Sequence, residues 1–226
     1  MARSIIVTGG FGVLGQAVAE AFAAAGDKVA RIDFAPSPHK PLLGALDLGG
    51  IDLTDAATTQ GALDKVAAAH GGIDVLVNIA GGFTWETLEG GSLESWARMQ
   101  SMNLMSNVTI TKLALPVLRK SSEGRIVNIG AGAAIKAGMG MGAYTASKAG
   151  VHRLTEALAE ELVGSSVTVN AILPSIIDTP TNRADMPDAD TSGWVQPAAV
   201  ADVILFLASP AARAITGALI PVTRGG

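Results

Sequence analysis

Residues 4–15 read SIIVTGGFGVLG, an apolar run followed at once by a glycine-rich turn. The β-branched run indicates a buried strand, and the apolar spacing after the turn indicates a helix. Glycines at positions 9, 12 and 15 would let the backbone approach a bound group closely. The unpaired N–H groups and positive dipole end of the following helix suit a phosphate. The stretch predicts a strand, a dinucleotide-binding turn and a helix; a tight turn without a ligand is the plainer alternative.

The alternation of strand and helix continues along the chain. Short runs rich in Val and Ile predict strands at 28–34, 73–82, 125–129, 167–174 and 218–223, and Ala-rich stretches predict helices near 13–26, 55–69, 95–120, 143–163 and 197–208. Apolar strands that alternate with helices are typical of a parallel sheet covered on both faces. We therefore expect an α/β fold, a doubly wound parallel sheet of the Rossmann type, as a single domain over residues 1–226. In such sheets ligands bind at the carboxyl ends of the strands.

Composition excludes several classes of function. The 226 residues carry a net charge of −4, and the sixteen Lys and Arg are scattered, so no nucleic-acid partner is expected. Cysteine is absent and the three histidines are isolated, so we expect no metal site. Charges interrupt each long apolar stretch, and the first strand leaves no room for a signal peptide. We expect a cytoplasmic protein without a membrane segment.

A carboxylate follows the second strand. Asp33 lies eighteen residues after Gly15, where it could accept hydrogen bonds from the adenosine ribose hydroxyls. Because a carboxylate repels a 2′-phosphate, this position favours NAD(H). Arg31, two residues earlier on the same face of the strand, could instead meet a 2′-phosphate, so NADP(H) stays possible.

Two further segments are candidates for the cofactor site. Asp52 and Leu53 could place a carboxylate near the adenine amino group, and the strand ending at Asn78 leads into Ala80 and Gly81 beside the cofactor. Asn78 has an equally good structural interpretation, in which it caps the turn and ties neighbouring strands together.

The stretch YTASK places Tyr144 and Lys148 one helical turn apart. Residues four apart share a helix face, so the Lys148 ammonium is expected to favour ionisation of the Tyr144 phenol and to lower its pKa. Such a phenol can donate or accept a proton near neutral pH.

A second hydroxyl is missing upstream of this pair. Ala131 stands thirteen residues before Tyr144, and no Ser or Thr occurs from Arg125 to Ala143. For a simple ketone, the loss of one preorganised donor to the developing oxyanion costs about 2.7 to 4 kcal/mol. The sequence therefore argues against ordinary ketone reduction and favours an acceptor that is already electrophilic.

The glycine turn, the strand end NIAGG at 78–82, the Tyr144 and Lys148 pair and the stretch PSIIDTP at 174–180 together resemble the short-chain dehydrogenase/reductase family over nearly the whole chain. The resemblance implies that the tyrosine exchanges a proton with substrate and that the lysine holds the nicotinamide ribose. It also implies that Asn103, on the preceding long helix, supports a proton relay. The cofactor contacts it implies are Gly9, Phe11, Gly12, Val13, Leu14, Gly15, Asp33, Asp52, Leu53, Asn78, Ala80, Gly81, Tyr144, Lys148, Pro174, Ile177 and Thr179.

Two departures from the usual family pattern narrow the comparison. The turn has the spacing G-x-x-G-x-x-G, and the serine is replaced by Ala131. Both features, with the stretches 131–154 and 173–194, resemble the dihydropteridine reductases, which use NADH to reduce quinonoid dihydropterin and also lack the serine.

The segment 178–197 is polar and longer than a usual connection, which favours a substrate-covering lid. Candidate substrate contacts lie in this segment and near the ends of the central strands: Ala131, Phe83, Met139, Asn182 and Trp194, with Trp85, Met141 and Met186 as further candidates. The aromatic side chains could equally fill core or subunit contacts.

Other functions remain open. The chain could be a short-chain dehydrogenase/reductase for another small carbonyl or quinone, or a catalytically idle dinucleotide-binding sensor. The family resemblance implies a homodimer or homotetramer. An apolar stripe on the predicted helix 143–163 could be core or a subunit contact; its members are Val151, Leu154, Leu158 and Leu162.

Overall fold

The computed structural model describes residues 2–224, and within them seven strands form one parallel sheet. The strands are β1 (Ser4–Thr8), β2 (Lys28–Ile32), β3 (Leu46–Leu48), β4 (Val75–Asn78), β5 (Arg125–Ile129), β6 (Thr168–Pro174) and β7 (Leu219–Val222). Their order in the sheet is β3-β2-β1-β4-β5-β6-β7. The chain leaves β1 toward β2 and later returns to its other side with β4, which creates a crevice at the carboxyl ends of these two strands.

Helices connect the strands and cover both faces of the sheet. They are α1 (Val13–Ala24), α2 (Ala56–His70), α3 (Leu93–Met99), α4 (Ser106–Leu118), α5 (Gly142–Glu161), α6 (Pro180–Asp185) and α7 (Pro197–Leu207), with a π-helical turn at Gln100–Met105 and 3₁₀ turns at Gly132–Ala134 and Pro210–Ala212. Side chains of α1 and α7 pack with one face of the sheet. Those of α2, α4 and α5 pack with the other. The predicted doubly wound α/β fold is confirmed.

The alternation of side chains along β1 shows why both faces must be covered. Ile5 and Val7 point into one apolar cluster and Ile6 into the other, and all three are fully buried. A strand that is apolar at every position is stable only between two layers of helices.

The long helix predicted near 95–120 is interrupted around Asn103, which the sequence predicts to be catalytic. The chain forms a π-helical turn at Gln100–Met105 between α3 and α4. Single π turns are rare and commonly mark functional sites, because they re-aim one side chain relative to a regular helix. Here the turn contains Asn103, whose side chain is buried.

Three of the four residues in the predicted apolar stripe are buried within one chain, and the fourth, Leu154, is partly buried. Val151, Leu158 and Leu162 are 5% exposed or less and pack inside the protein. The core interpretation of these residues therefore holds without a second subunit.

Strand β3 was not predicted because only three residues form it. Arg31 of β2 lies opposite Asp47 of β3 in the strand register, and the side chains of these two residues also pair, which holds β3 at the edge of the sheet. The Arg31 guanidinium donates to both Asp47 carboxylate oxygens at 2.7 Å. Such a contact is invisible in a pattern of local sequence.

Candidate active site

A cleft of about 780 Å³ opens at the carboxyl ends of β1, β2 and β4. Most of the predicted cofactor residues line it: Gly9, Phe11, Gly12, Val13, Leu14, Gly15, Asp33, Asp52, Leu53, Ala80, Gly81 and Thr179. Five predicted residues are not part of its wall: Asn78, Tyr144, Lys148, Pro174 and Ile177. One continuous surface thus joins the glycine turn to the strand end at Gly81.

The glycine turn has the geometry of a phosphate cradle. Gly9 has a φ of 62°, and a Cβ on Gly15 would lie 2.1 Å from the Gly9 carbonyl oxygen. These two glycines are required by the fold of the turn itself. Gly12 is different, because a Cβ there would meet only ordinary contacts and its φ is −74°. The missing side chain at Gly12 therefore leaves space for a ligand at the start of α1, where free N–H groups favour an anion.

Asp33 is held in place by the glycine turn. Its Oδ2 accepts a hydrogen bond from the Phe11 N–H and its Oδ1 from the Ala35 N–H, both at 2.9 Å. Each carboxylate oxygen retains a further lone pair. The carboxylate can therefore accept hydrogen bonds from a ligand in the cleft.

Arg31 is not available to a 2′-phosphate, contrary to the possibility raised by the sequence. Its side chain is fully buried and paired with Asp47, and it also donates to the Gln16 side chain. The spacing suggested a shared face with Asp33, but the carboxylate from β3 engages the guanidinium inside the protein. The reason is tertiary pairing, which the strand pattern does not reveal.

Asp52 and Leu53 lie on the cleft wall where the adenine end was expected. Asp52 Oδ1 accepts hydrogen bonds from the Thr54 N–H at 2.9 Å and hydroxyl at 2.7 Å, which orient the carboxylate. Leu53 is 6% exposed and supplies an apolar surface.

Asn78 performs the structural task rather than contacting the cleft. Its Nδ2 lies within hydrogen-bond distance of side-chain oxygens on Asn107, Thr111 and Asn128. This buried network ties β4 to α4 and β5, as the alternative interpretation expected.

Thr8 is a positioning residue that the sequence did not single out. Its Oγ1 accepts hydrogen bonds from the Ile79 and Ala80 N–H groups at 3.0 and 3.1 Å. The turn after β4 is thereby fixed against the glycine turn after β1. Its place at the end of β1 was the available signal, but a threonine there is also a common strand residue.

Asn103 connects the turn after β4 to the helix that carries Tyr144. Its Oδ1 accepts from the Gly82 N–H at 2.8 Å, and its Nδ2 donates to the Gly82 carbonyl at 3.1 Å and to Ser147 Oγ at 3.0 Å. Ser147 in turn donates to the Tyr144 carbonyl at 2.7 Å. Ser147 therefore connects Asn103 to the backbone of Tyr144.

Gly81 lies where these groups converge. A Cβ on Gly81 would be 2.4 Å from Asn103 Oδ1 and 3.5 Å from Lys148 Nζ. Lys148 itself is buried, and its Nζ donates to the Ile129 carbonyl at 2.8 Å. The ammonium thus lies directly behind the cleft wall at the end of β5.

The Tyr144 phenol does not have the lowered pKa that its spacing from Lys148 predicted. Burial raises the pKa of Tyr144 to about 12. Burial also lowers the pKa of Lys148 to about 8, so its own charge is disfavoured. Desolvation sets the direction of both shifts, which is opposite to the effect on Tyr144 that the helix spacing suggested. A phenol with a raised pKa stays protonated near neutral pH, but it is a weaker acid than a free tyrosine.

The buried ammonium predicts a measurable pH dependence of stability. Since the folded-state pKa of Lys148 is about 8, below the ordinary lysine value of 10.5, the unfolded chain binds more protons between these values. The free energy of unfolding should therefore rise with pH across this window. The Lys148→Met variant should be more stable near pH 7 by about 2 kcal/mol. The substitution removes the cost of burying the charge, roughly 3 kcal/mol, and it loses the hydrogen bond to the Ile129 carbonyl, which contributes about 1 kcal/mol.

Urea unfolding at several pH values checks this result, with Lys65→Met on the exposed face of α2 as the matched control. Tyr144 makes the free energy of unfolding fall with pH once the phenol of the unfolded chain begins to ionise. The pH series should therefore end near pH 10, at about the unperturbed tyrosine pKa. Equal stability of the wild type and Lys148→Met near pH 7 would show that burial of the ammonium does not destabilise the fold.

Residue 131 presents no hydroxyl to the site. Ala131 is 4% exposed, and its N–H donates to His152 Nε2 at 3.3 Å. The nearest serine on α5, Ser147, is fully buried and engaged with Asn103 and Tyr144. It therefore does not replace the missing donor.

The predicted substrate contacts divide into two groups. Phe83 packs edge-on against the Tyr144 ring, with centroids 5.0 Å apart. Met139, which lies close to Tyr144 in the sequence, is exposed to solvent. Trp85 packs over Gly140, where a Cβ would lie 2.2 Å from the indole. Of these side chains, Phe83 is the one in direct contact with the tyrosine.

The second group belongs to the segment 178–197. Trp194 is 5% exposed, which favours its alternative interpretation as a core residue. Asn182 donates from Nδ2 to the Ile177 carbonyl at 2.8 Å, so part of its amide is engaged in holding α6. The base of the segment is closed by pairing of Ile177 with Val195. The segment is therefore a folded loop whose two ends are held together.

The cleft wall also contains residues that the sequence did not predict. They are Phe34, Ala35, Ser37, His39, Ile51, Thr54, Ile79, Arg98, Ser101, Met102, Ser106 and Thr181. Some of them lie one turn from Asn103, so helical spacing was the available signal. The others reach the cleft only through the course of loops.

Among residues 2–224, no helix is both long and apolar enough to cross a membrane. The same part of the chain contains no group of three or more His, Asp or Glu side chains arranged to hold a metal ion.

The fold and the site define an oxidoreductase of the Rossmann class. The sequence model of the short chain dehydrogenase family matches residues 3–190, and the chain belongs to this family. It is therefore an enzyme that acts on a small molecule with NAD(H) or NADP(H).

Several characterised relatives are similar over almost their full lengths. The 3-oxoacyl-[acyl-carrier-protein] reductase FabG of Vibrio cholerae is 31% identical, over 97% of this chain and 95% of the relative. The 2,5-dichloro-2,5-cyclohexadiene-1,4-diol dehydrogenase LinX of Sphingobium indicum is 33% identical, over 97% and 94%. D-threitol dehydrogenase of Mycolicibacterium smegmatis is 34% identical, over 97% and 91%.

A solved structure confirms the architecture. The ligand-free aldohexose dehydrogenase AldT of Thermoplasma acidophilum superposes with a TM-score of 0.89 at 28% identity, covering 98% of this chain and 92% of that chain. The relatives act on different substrates according to their names, so the substrate must be argued from the site.

Proposed function

We propose that this protein is an NADH-dependent reductase of a quinonoid dihydropterin-like acceptor, with Tyr144 as the proton donor. The observation that carries the proposal is the absence of a hydroxyl at the end of β5, the strand that precedes the helix with Tyr144, where residue 131 is a buried alanine. Such a site offers a protonated phenol but little stabilisation to a developing oxyanion. An electron-poor, cross-conjugated ring needs that stabilisation less than a ketone does.

The residues of the cleft fit the dinucleotide. Gly9, Gly12 and Gly15 would hold its pyrophosphate at the start of α1, and Asp33 would hold the adenosine ribose. Lys148, behind Gly81, would hold the nicotinamide ribose. When bound, the reduced dinucleotide supplies the hydride. Tyr144 would supply the one proton that reduction of a quinonoid dihydropterin to the tetrahydropterin needs in addition to a hydride.

Each catalytic side chain has a separate task in this proposal. Tyr144 donates its phenolic proton to the substrate, and Phe83 keeps its ring oriented through the edge-on contact. Asn103 fixes both Gly82 and Ser147, so it holds the cofactor side of the cleft and α5 in register. Precise orientation of this kind contributes to the rate because the reacting groups need not search for each other.

The preference for NAD(H) rests on Asp33 and on the burial of Arg31. The carboxylate would repel a 2′-phosphate, and the arginine that could have attracted one is paired with Asp47. NADP(H) would have to overcome a negative charge at the ribose position.

Replacing Asp33 by Asn should weaken this preference. We expect the KM for NADH to rise about 10-fold, since a hydrogen bond to a charged group is worth about 1.5 to 3 kcal/mol, and the KM for NADPH to rise less or to fall. Steady-state oxidation of both cofactors measures the ratio. Asp64→Asn, an exposed acid on α2, is the matched control. An unchanged ratio in Asp33→Asn would remove Asp33 from the ribose site.

A second candidate function is reduction of another small carbonyl or quinone. It is favoured by the relatives, of which FabG is named as a 3-oxoacyl-[acyl-carrier-protein] reductase. On this alternative, a different residue or a water would replace the missing hydroxyl near Ala131.

One experiment separates these candidates. NADH and NADPH oxidation is followed with freshly generated quinonoid dihydropterin, with simple ketones and with quinones, at equal concentrations. We expect the dihydropterin with NADH to be the fastest pair. Faster turnover of a ketone or quinone would replace the proposed substrate, and tight NADH binding without turnover of any acceptor would favour the idle sensor.

The segment 178–197 is proposed as the substrate lid, and a homodimer or homotetramer as the assembly. The lid proposal is supported by the fixed base at Ile177 and Val195 and by the position of Thr179 and Thr181 on the cleft wall. The assembly proposal is supported by large apolar side chains on the helices that would lie at a surface, such as Met105 at 47% and Phe206 at 49% exposure. Light scattering of the purified protein decides the assembly.

A further inference from the structure

A second cavity, of about 280 Å³, lies at the end of the sheet opposite the cleft. It is formed by the chain segments that precede β5, β6 and β7. Its most buried lining residues are Arg125 and Thr168, the first residues of β5 and β6, which are 3% and 8% exposed. Arg213 lines the same cavity and is exposed to solvent.

Polar atoms of this cavity lack the partners that buried groups normally have. Within residues 2–224, Arg125 Nε and Thr168 Oγ1 are both buried without a hydrogen-bond partner. Arg125 Nη1 donates to the Gly124 and Ser166 carbonyls at 2.8 and 3.2 Å, but these acceptors are uncharged. A buried polar atom without a partner is costly, and more so on a charged group.

The positive charges of the cavity are not neutralised by ion pairs. In the described part of the chain, neither Arg125 nor Arg213 has a carboxylate within 4.0 Å. Burial lowers the pKa of Arg125, with a smaller opposing effect from Glu123. An arginine nevertheless stays charged at neutral pH, so a buried guanidinium without an anion favours binding of one.

Glu123 also lines the cavity and limits what can bind. Two guanidinium groups and one carboxylate leave a single net positive charge on the wall. Ser165 Oγ accepts from the Val167 N–H at 3.2 Å and keeps its own proton for a ligand. The Ser166 hydroxyl, in contrast, already donates to the Ser121 carbonyl at 2.6 Å. A ligand with several acceptor oxygens in a small volume would satisfy the free guanidinium and hydroxyl groups together, whereas a single carboxylate would satisfy fewer of them.

We propose that this cavity is a binding site for a compact oxyanion of the phosphate class, held by Arg125, Arg213 and the Thr168 hydroxyl. Because it lies at the amino ends of the strands, the site is separate from the dinucleotide cleft. Free phosphate and a phosphomonoester offer the same oxygens, and the exposed position of Arg213 leaves one side open to a larger ester.

Isothermal titration calorimetry of the full chain tests the proposal with inorganic phosphate and with glycerol 2-phosphate, at an ionic strength held constant with chloride. We expect saturable binding of at least one probe and the same affinity at saturating NADH. Arg213→Gln should weaken binding by about 10-fold or more, because a charged hydrogen-bonding partner is lost. Glu123→Gln should strengthen it, and Arg119→Gln, an exposed arginine just after α4, should leave it unchanged.

The two probes distinguish the sources of the oxyanion. Preference for inorganic phosphate assigns the site to the free ion, and equal or tighter binding of the ester assigns it to a phosphorylated metabolite. Absence of saturable binding by either probe would overturn the proposal. So would equal weakening by Arg213→Gln and Arg119→Gln, since the effect would then be one of overall charge.

Discussion

Replacement of Tyr144 by Phe should lower turnover by about 10²- to 10⁴-fold, the range that a positioned general acid contributes. The substitution removes a single oxygen atom. The Phe83 ring packs against the edge of the Tyr144 ring at a centroid distance of 5.0 Å, and a phenylalanine can keep this contact. We therefore expect the fold and the melting temperature to be preserved.

Dinucleotide binding gives the control for this prediction. Tyr144 is not part of the wall of the main cleft, so the dissociation constant for NADH should change by less than about 3-fold, well under 1.4 kcal/mol. Fluorescence titration with NADH and steady-state turnover are measured on the same preparation. Near-normal turnover of Tyr144→Phe with quinonoid dihydropterin would remove the tyrosine from the proton transfer.

The pH dependence of turnover tests the same role without mutation. Because burial raises the pKa of Tyr144 to about 12, the phenol of the free enzyme is protonated throughout the neutral range. In the direction of reduction, loss of kcat/KM between pH values of about 7 and 9 should then reflect Lys148, whose pKa is lowered to about 8, and not Tyr144.

Much of the fold could be predicted because it depends on local patterns. The helix predicted at 55–69 is observed at Ala56–His70, and it begins where Asp55 accepts a hydrogen bond from the Thr58 N–H at 2.7 Å. Apolar periodicity and a capping residue are both visible in a single sequence. The same holds for the glycine turn, whose conformation is restricted at Gly9 and Gly15.

What could not be predicted depends on contacts between distant segments. Arg31 was considered a possible 2′-phosphate contact because its partner, Asp47, lies sixteen residues away on a strand of three residues. The pKa of Tyr144 was assigned the wrong direction because helix spacing reveals the distance to Lys148 but not the burial of either group. Electrostatic effects depend on the surrounding dielectric, and only the folded structure supplies it.

Introduction of a serine at position 131 should change the substrate range of the enzyme. If the missing hydroxyl limits ketone reduction, Ala131→Ser should raise kcat/KM for simple ketones by about 10²- to 10³-fold, which corresponds to the 2.7 to 4 kcal/mol of one oxyanion donor. Turnover of quinonoid dihydropterin should change little, because that acceptor develops less charge on oxygen. The prediction thus separates the two kinds of acceptor within one protein.

The surroundings of Ala131 decide how this experiment is designed. The residue is 4% exposed, and its N–H donates to His152 Nε2, so a new hydroxyl at this position has a nearby competing acceptor. Ala131→Cys adds a side chain of similar size with only a weak donor and is the matched control. A gain for ketones in both variants would indicate altered packing. If ketone turnover stays low in Ala131→Ser while dihydropterin turnover is retained, the apolar residue at 131 is not what excludes ketones, and the selectivity must come from the shape of the pocket beside Phe83.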